Sequence, residues 1–137
     1  MKTNLKDIAT IISAAIWADG AYEESERTAV GQISEALELD DKAFAKAVDS
    51  VVDEMSKKDD EGVSALLAKA CDRVDDEESP IIIEAVLQIL VCDGTLSRDE
   101  VITLTGITEA LGLEMADVIL MLCDMVKEEE DIVIDFE

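Results

Sequence analysis

The chain has 137 residues, of which 49% are hydrophobic, and it carries 34 acidic against 11 basic side chains, for a formal net charge of −23. This size and apolar content are typical of one globular domain rather than of a disordered acidic tail. The charge argues against nucleic acid and anionic lipid as partners, and it favours basic proteins or cations. Histidine is absent, which removes the commonest general base and most zinc sites.

Helical periodicity and capping residues predict seven helices and no sheet, so the fold class is all-α. In chain order the helices are predicted at 3–18, 24–38, 41–57, 60–75, 80–92, 98–111 and 115–129. Asp40 or Asp41 is predicted to cap the third helix, Asp59 or Asp60 to cap the fourth, Ser79–Pro80 to begin the fifth, and Gly112 to end the sixth. Residues 131–137 are predicted to form one extended segment that docks on the bundle. No apolar run reaches the roughly 18–20 residues of a membrane span, so no membrane insertion is expected.

The sequence contains an internal repeat with an offset of 74 residues. Eight of the 21 positions in 19–39 are identical in 93–113, namely Asp19/Asp93, Gly20/Gly94, Glu26/Glu100, Ile33/Ile107, Glu35/Glu109, Ala36/Ala110, Leu37/Leu111 and Leu39/Leu113. We therefore predict a single domain, 1–137, built from two pseudo-symmetric three-helix repeats at about 3–57 and 80–129. A connecting helix at about 60–75 joins them.

Each repeat carries an Asp-Gly pair with a glutamate six residues after the glycine, which gives Asp19, Glu26, Asp93 and Glu100. These acids continue the apolar stripes of their predicted helices, so all four are expected to face the core at helix ends. Two interpretations remain open. The acids are helix caps, as in the Ser-x-x-Glu capping box that Ser97 begins, or they converge to bind a divalent cation through oxygen ligands.

The motif resembles the second half of a calcium-binding EF-hand loop, but the first half does not fit. The first and third ligand positions of that loop would be Ala15 and Trp17 in one copy, and Ile89 and Val91 in the other. These side chains offer no oxygen to calcium. The sequence therefore excludes an EF-hand.

Three cysteines, Cys71, Cys92 and Cys123, lie in apolar helical stretches without a Cys-x-x-Cys pair. They are predicted to be reduced and to serve as small buried apolar side chains. A reducing, cytoplasmic location follows from this interpretation.

Two stretches on the seven predicted helices, Trp-Ala-Asp-Gly (17–20) through Glu26 and Cys-Asp-Gly (92–94) through Glu100, resemble the TerB-like domain family, which is named after a tellurite-resistance protein. The likeness covers nearly the whole chain. It implies a compact helical bundle in which Asp19, Glu26, Asp93 and Glu100 match acids suspected of metal binding. It implies no enzymatic activity, and no organic cofactor is expected.

The function predicted is a non-enzymatic, acidic binding or scaffold domain of the TerB-like type, with a divalent cation and a link to a tellurite-type stress response. The alternative is a metal-independent interaction domain that docks a basic protein or a second copy of itself. Stoichiometric cation binding separates the two. An enzyme of the glycosidase type is disfavoured, because aromatic residues make up only 3% of the chain and offer little sugar-stacking surface.

Overall fold

The computed structural model describes the backbone of residues 3–19, 24–91, 95–96, 98–128 and 133–134. Seven helices lie in these ranges: α1 (Leu5–Asp19), α2 (Glu24–Ala36), α3 (Asp41–Ser56), α4 (Asp60–Asp72), α5 (Ser79–Val91), α6 (Arg98–Ala110) and α7 (Met115–Glu128). The predicted all-α class and helix order are confirmed. The largest boundary difference is at the end of α4, predicted at 75 and observed at Asp72.

Helix α1 lies at the centre of the bundle. Every residue from 7 to 16 is buried, and α1 contacts α3, α4, α5 and α6. Two polar side chains tolerate this burial because they bond to the preceding turn. The Thr10 hydroxyl donates to the Lys6 carbonyl at 2.8 Å, and the Ser13 hydroxyl donates to the Ala9 carbonyl at 2.6 Å. A helix that is apolar on all sides needs neighbours on all sides, and the other helices provide them.

Helix α5 is the second strongly apolar helix, and nine of its 13 residues are buried. Most of the remaining helices bury one stripe each, at the spacings of three and four residues that are typical of amphipathic helices. The buried stripe residues are Val30 and Ile33 on α2, Phe44, Val48 and Val51 on α3, Leu104 and Ile107 on α6, and Val118 and Leu122 on α7. A smaller cluster of Ala14, Val51, Met55 and Val63 fills the space between α1, α3 and α4.

The predicted caps of α3 and α4 are present, whereas the cap predicted for α5 is not. Asp40 accepts the Ala43 amide proton at 2.9 Å at the start of α3, and Asp59 accepts that of Gly62 at 2.8 Å at the start of α4. Ser79 is the first residue of α5 rather than the residue before it. Local backbone chemistry thus sets where these helices begin.

Helices α2 and α6 end in the same turn. Glu38 and Gly112, which are 74 residues apart, both have positive φ, at 58° and 74°. The amide of the following leucine donates back into the helix in each case, from Leu39 to Ser34 at 2.8 Å and from Leu113 to Thr108 at 3.0 Å. The repeat therefore extends to backbone geometry at this turn.

Two substitutions at this shared turn should change the free energy of unfolding in opposite directions. Gly112→Ala should destabilise the protein by about 1–2 kcal/mol, because an L-residue pays for the left-handed conformation. Glu38→Gly should stabilise it by about 0.5–1 kcal/mol, since glycine removes that strain at some entropic cost. Chemical denaturation measures both changes.

Gly106→Ala is the matched control, because an added Cβ meets nothing within 4 Å at either glycine. It lies inside α6 and should stabilise by about 1 kcal/mol through helix propensity. Equal effects of Gly106→Ala and Gly112→Ala would contradict the conformational explanation.

Candidate functional site

Glu26 and Glu100 occupy the first turns of α2 and α6 and are almost fully buried, with 2% and 3% of their surfaces exposed. The prediction that these two acids face the core is confirmed. Glu24 and Glu35, on the same helix as Glu26, are exposed. Burial is thus a property of the motif glutamate and not of every acid on the helix.

A buried carboxylate requires compensation, because removal of its hydration costs several kcal/mol in order of magnitude. The first turn of a helix offers part of it through unpaired amides and the positive end of the helix dipole. Both glutamates also make hydrogen-bonding or electrostatic interactions in the fold. Their position suits a helix cap, and it equally suits a carboxylate that supplies an oxygen to a cation.

The two aspartates of the predicted set are described only in part. Asp19 is the last residue of α1, but its side chain lies outside the described residues, as does all of Asp93. Ser97, the first position of the predicted capping box, and Glu23, which replaces the serine in the first repeat, also lie outside them. Among the described side chains no three His, Cys, Asp or Glu groups form a metal-binding cluster. The four-acid site therefore stays a prediction.

The loop between α5 and α6 contains a short strand, β1 (Thr95–Leu96), between the aspartate and the glutamate of the second motif. It pairs in parallel with β2 (Val133–Ile134), in the register Thr95 to Val133 and Leu96 to Ile134. The predicted extended segment at 131–137 is confirmed at Val133 and Ile134. Val133 and Ile134 thereby contact the loop of the second motif.

A groove of about 210 Å³ lies between α1, α3 and α4, with three basic side chains, Lys6, Lys69 and Arg73, on its walls. Sequence reasoning missed this site. Its residues are separated by up to 67 positions and share no motif, so only the packing of the three helices brings them together.

The cysteine prediction is correct for one residue and wrong for another. Cys71 is buried on α4, and burial raises the pKa of its thiol from 9.0 to about 11. Cys123 on α7 is exposed, because α7 turns Val118 and Leu122 inward and leaves the opposite face uncovered. Cys92 lies outside the described residues.

Fold and site together define an all-helical domain in which a duplicated Asp-Gly…Glu motif places a buried glutamate at the start of two helices. The family model described as tellurite resistance protein TerB matches residues 6–122, and the chain belongs to this family. No curated protein and no solved structure matches the chain. Within the described ranges, none of the helices is long and apolar enough to cross a membrane.

The two described cysteines should differ in reactivity. A pKa shift from 9.0 to about 11 lowers the thiolate fraction of Cys71 roughly 100-fold, and burial slows access further. In the native protein at pH 8, iodoacetamide should therefore modify Cys123 rapidly and Cys71 at least about 100-fold more slowly. Peptide mapping by mass spectrometry measures both rates. In urea the two rates should become equal, and equal rates in the native protein would show that Cys71 is not protected.

Proposed function

We propose that this chain is a non-enzymatic binding domain of the tellurite-resistance type that holds one divalent cation with Asp19, Glu26, Asp93 and Glu100. The observation that carries the proposal is selective burial. Within the matching segments 19–39 and 93–113, glutamate recurs at two positions. The pair Glu26 and Glu100 is buried, whereas the pair Glu35 and Glu109 is exposed. A fold that only needed acidity for solubility would leave both pairs in water.

The donor chemistry fits a hard cation. Carboxylate oxygens are the preferred ligands of Mg²⁺ and Ca²⁺, and they also suit Mn²⁺. A cation between buried carboxylates would offset both their desolvation and their mutual repulsion. Histidine, the commonest general base, is absent from the sequence, which supports action by binding rather than by reaction.

Helix contacts support a meeting of the two motifs. Helix α1, which ends at Asp19, contacts α6, whose first turn holds Glu100. Helix α2, whose first turn holds Glu26, contacts α5, which ends two residues before Asp93. Under the repeat relation α1 corresponds to α5 and α2 corresponds to α6, so exchanging the two repeats converts the first contact into the second. Packing about a pseudo-twofold axis requires this relation. We propose that axis as the arrangement that joins the motifs.

The acidic surface selects the macromolecular partner, which we propose to be a protein with a basic face. Charge complementarity of this kind speeds association and excludes phosphate backbones. We assign the domain to the cytoplasm because Cys71 and Cys123 are free thiols and the latter is exposed, a state that a reducing compartment maintains.

Removal of one buried charge tests the cation site. In metal-free protein, Glu26→Gln and Glu100→Gln should each raise Tm by about 3 °C, because the amide relieves carboxylate repulsion and costs less to desolvate. In wild type, at least one of Mg²⁺, Mn²⁺ and Ca²⁺ should raise Tm in a concentration-dependent manner, and either substitution should abolish this rise. Thermal unfolding with chelator and with each cation measures both effects.

Glu35→Gln and Glu109→Gln are the matched controls, since they make the same charge change at repeated but exposed positions. They should leave the cation response intact. If both buried-site variants instead lose stability and wild type shows no cation response, the glutamates are helix caps and the metal proposal fails.

A second candidate function is a metal-independent interaction domain, and a distinct surface favours it. Ile102 on α6 and Leu120 on α7 are exposed by 60% and 64%, large values for apolar side chains. The flanking sequence is acidic, since Arg98 and Lys127 are the only bases from residue 79 onward. This combination fits a partner that presents apolar side chains within a basic surface.

An amphipathic peptide of leucine and lysine probes this surface. In the presence of chelator it should shift amide signals of α6 and α7, and Leu120→Ser should weaken the interaction by at least about fivefold. Ile81→Ser, at an exposed isoleucine of α5, is the control and should have no effect. Uniform shifts across the chain, or equal effects of the two variants, would reduce the interaction to general charge attraction.

A further inference from the structure

The groove between α1, α3 and α4 has a charge opposite to that of the chain as a whole. Its polar walls carry the bases Lys6, Lys69 and Arg73 and the acids Asp7 and Glu54. Acids outnumber bases by 34 to 11 in the sequence, but bases outnumber acids by three to two here. The groove therefore departs locally from the charge of the whole chain.

One acid of the groove is already neutralised. Arg73 Nη1 lies 3.4 Å from Asp7 Oδ1, and the Asp7 side chain is buried while that of Arg73 is two-thirds exposed. The guanidinium has five N–H donors, and the Asp7 contact accounts for one of them. The rest of the guanidinium remains exposed, and Lys6 and Lys69 line the same groove.

Helix dipoles explain only part of this charge. Lys69 lies in the last turn of α4 and Arg73 is its C-cap residue, positions where a cation stabilises the negative end of a helix. Lys6 lies in the first turn of α1, where the same rule disfavours a cation. That turn brings the positive end of the α1 dipole to the groove, whereas the last turns of α3 and α4 bring two negative ends, so the positive charge of the groove comes from its side chains.

The internal repeat provides a comparison within the chain. At the offset of 74 residues, Lys6, Asp7 and Thr10 correspond to Pro80, Ile81 and Glu84. Lys69 lies in α4, the connecting helix, and Arg73 is its C-cap residue; this helix has no counterpart in the repeat. The basic groove is therefore not a by-product of the repeated architecture, unlike the Asp-Gly…Glu motif.

We propose that this groove binds the phosphate group of a small ligand, with Lys6, Lys69 and Arg73 as its cationic contacts. Phosphate carries about 1.5–2 negative charges at neutral pH and accepts hydrogen bonds through several oxygens. At about 210 Å³ the groove is smaller than the roughly 300–1,000 Å³ of sites that enclose a whole ligand. It takes a free phosphate ion or the phosphate end of a small phosphorylated metabolite. Val51 and Ala70 form its apolar floor.

The test is an amide NMR titration of the full chain with inorganic phosphate, and in parallel with glycerol phosphate, at constant ionic strength set with chloride. Saturable shifts should appear in the first turn of α1 and at the C-terminal ends of α3 and α4. Lys6→Gln and Lys69→Gln should each weaken the apparent affinity about fivefold, the order expected for one exposed ionic contact. Lys69→Arg should retain binding.

Two controls separate a built site from general charge attraction. Lys42→Gln removes an exposed lysine from the opposite end of α3, about 18 Å away along the helix, and should change nothing. Glu54→Gln should strengthen binding, because Glu54 opposes an anion in the groove, while Glu61→Gln at the start of α4 should not.

Saturation by both ligands supports a site for a phosphorylated metabolite, and saturation by inorganic phosphate alone supports a site for the free ion. The proposal would be overturned if neither ligand produced saturable shifts. Equal weakening by Lys42→Gln and Lys69→Gln would overturn it as well. Circular dichroism checks that each variant is folded.

Discussion

The burial of α1 on all sides is the constraint on which the rest of the structure depends. Ten consecutive residues, 7 to 16, are removed from water, and no single neighbour can cover a whole helix. Helices α3, α4, α5 and α6 each contact it. At a net charge of −23 the chain repels itself, so this apolar centre must supply the cohesion that the surface opposes.

The same centre positions both candidate sites at the two ends of α1. Asp19 is its last residue, beside the first repeated motif, while Lys6 and Asp7 lie in its first turn, at the basic groove. One end of the central helix thus carries an aspartate of the repeated motif, and the other carries residues of the basic groove. Both features are unusual in a chain this acidic. The groove has more bases than acids on its walls, and the motif glutamates are buried although most acidic side chains are exposed to water.

Features that depend on local backbone chemistry were predictable from the sequence. Asp40 and Asp59 cap their helices, and Gly112 adopts positive φ, because short-range hydrogen bonds and sterics decide these conformations. Glu38 also has a positive φ, although glutamate disfavours this conformation. In the sequence, only the repeat relation of Glu38 to Gly112 indicates it. Packing between distant segments was not predictable. Cys123 lies in an apolar run and is therefore predicted to be buried, but among the described side chains α7 buries only its stripe of Val118 and Leu122. No sequence pattern links Lys6 to Arg73.

Calorimetric titration of the metal-free protein with Mg²⁺, Mn²⁺ and Ca²⁺ tests the central claim most directly, because it counts sites without reference to stability. Convergence of Asp19, Glu26, Asp93 and Glu100 on one ion predicts a single equivalent of at least one of these cations per chain. Two equivalents would mean that each motif binds on its own, and no binding of any of the three would mean that the buried glutamates serve the fold alone. Either result would contradict the account.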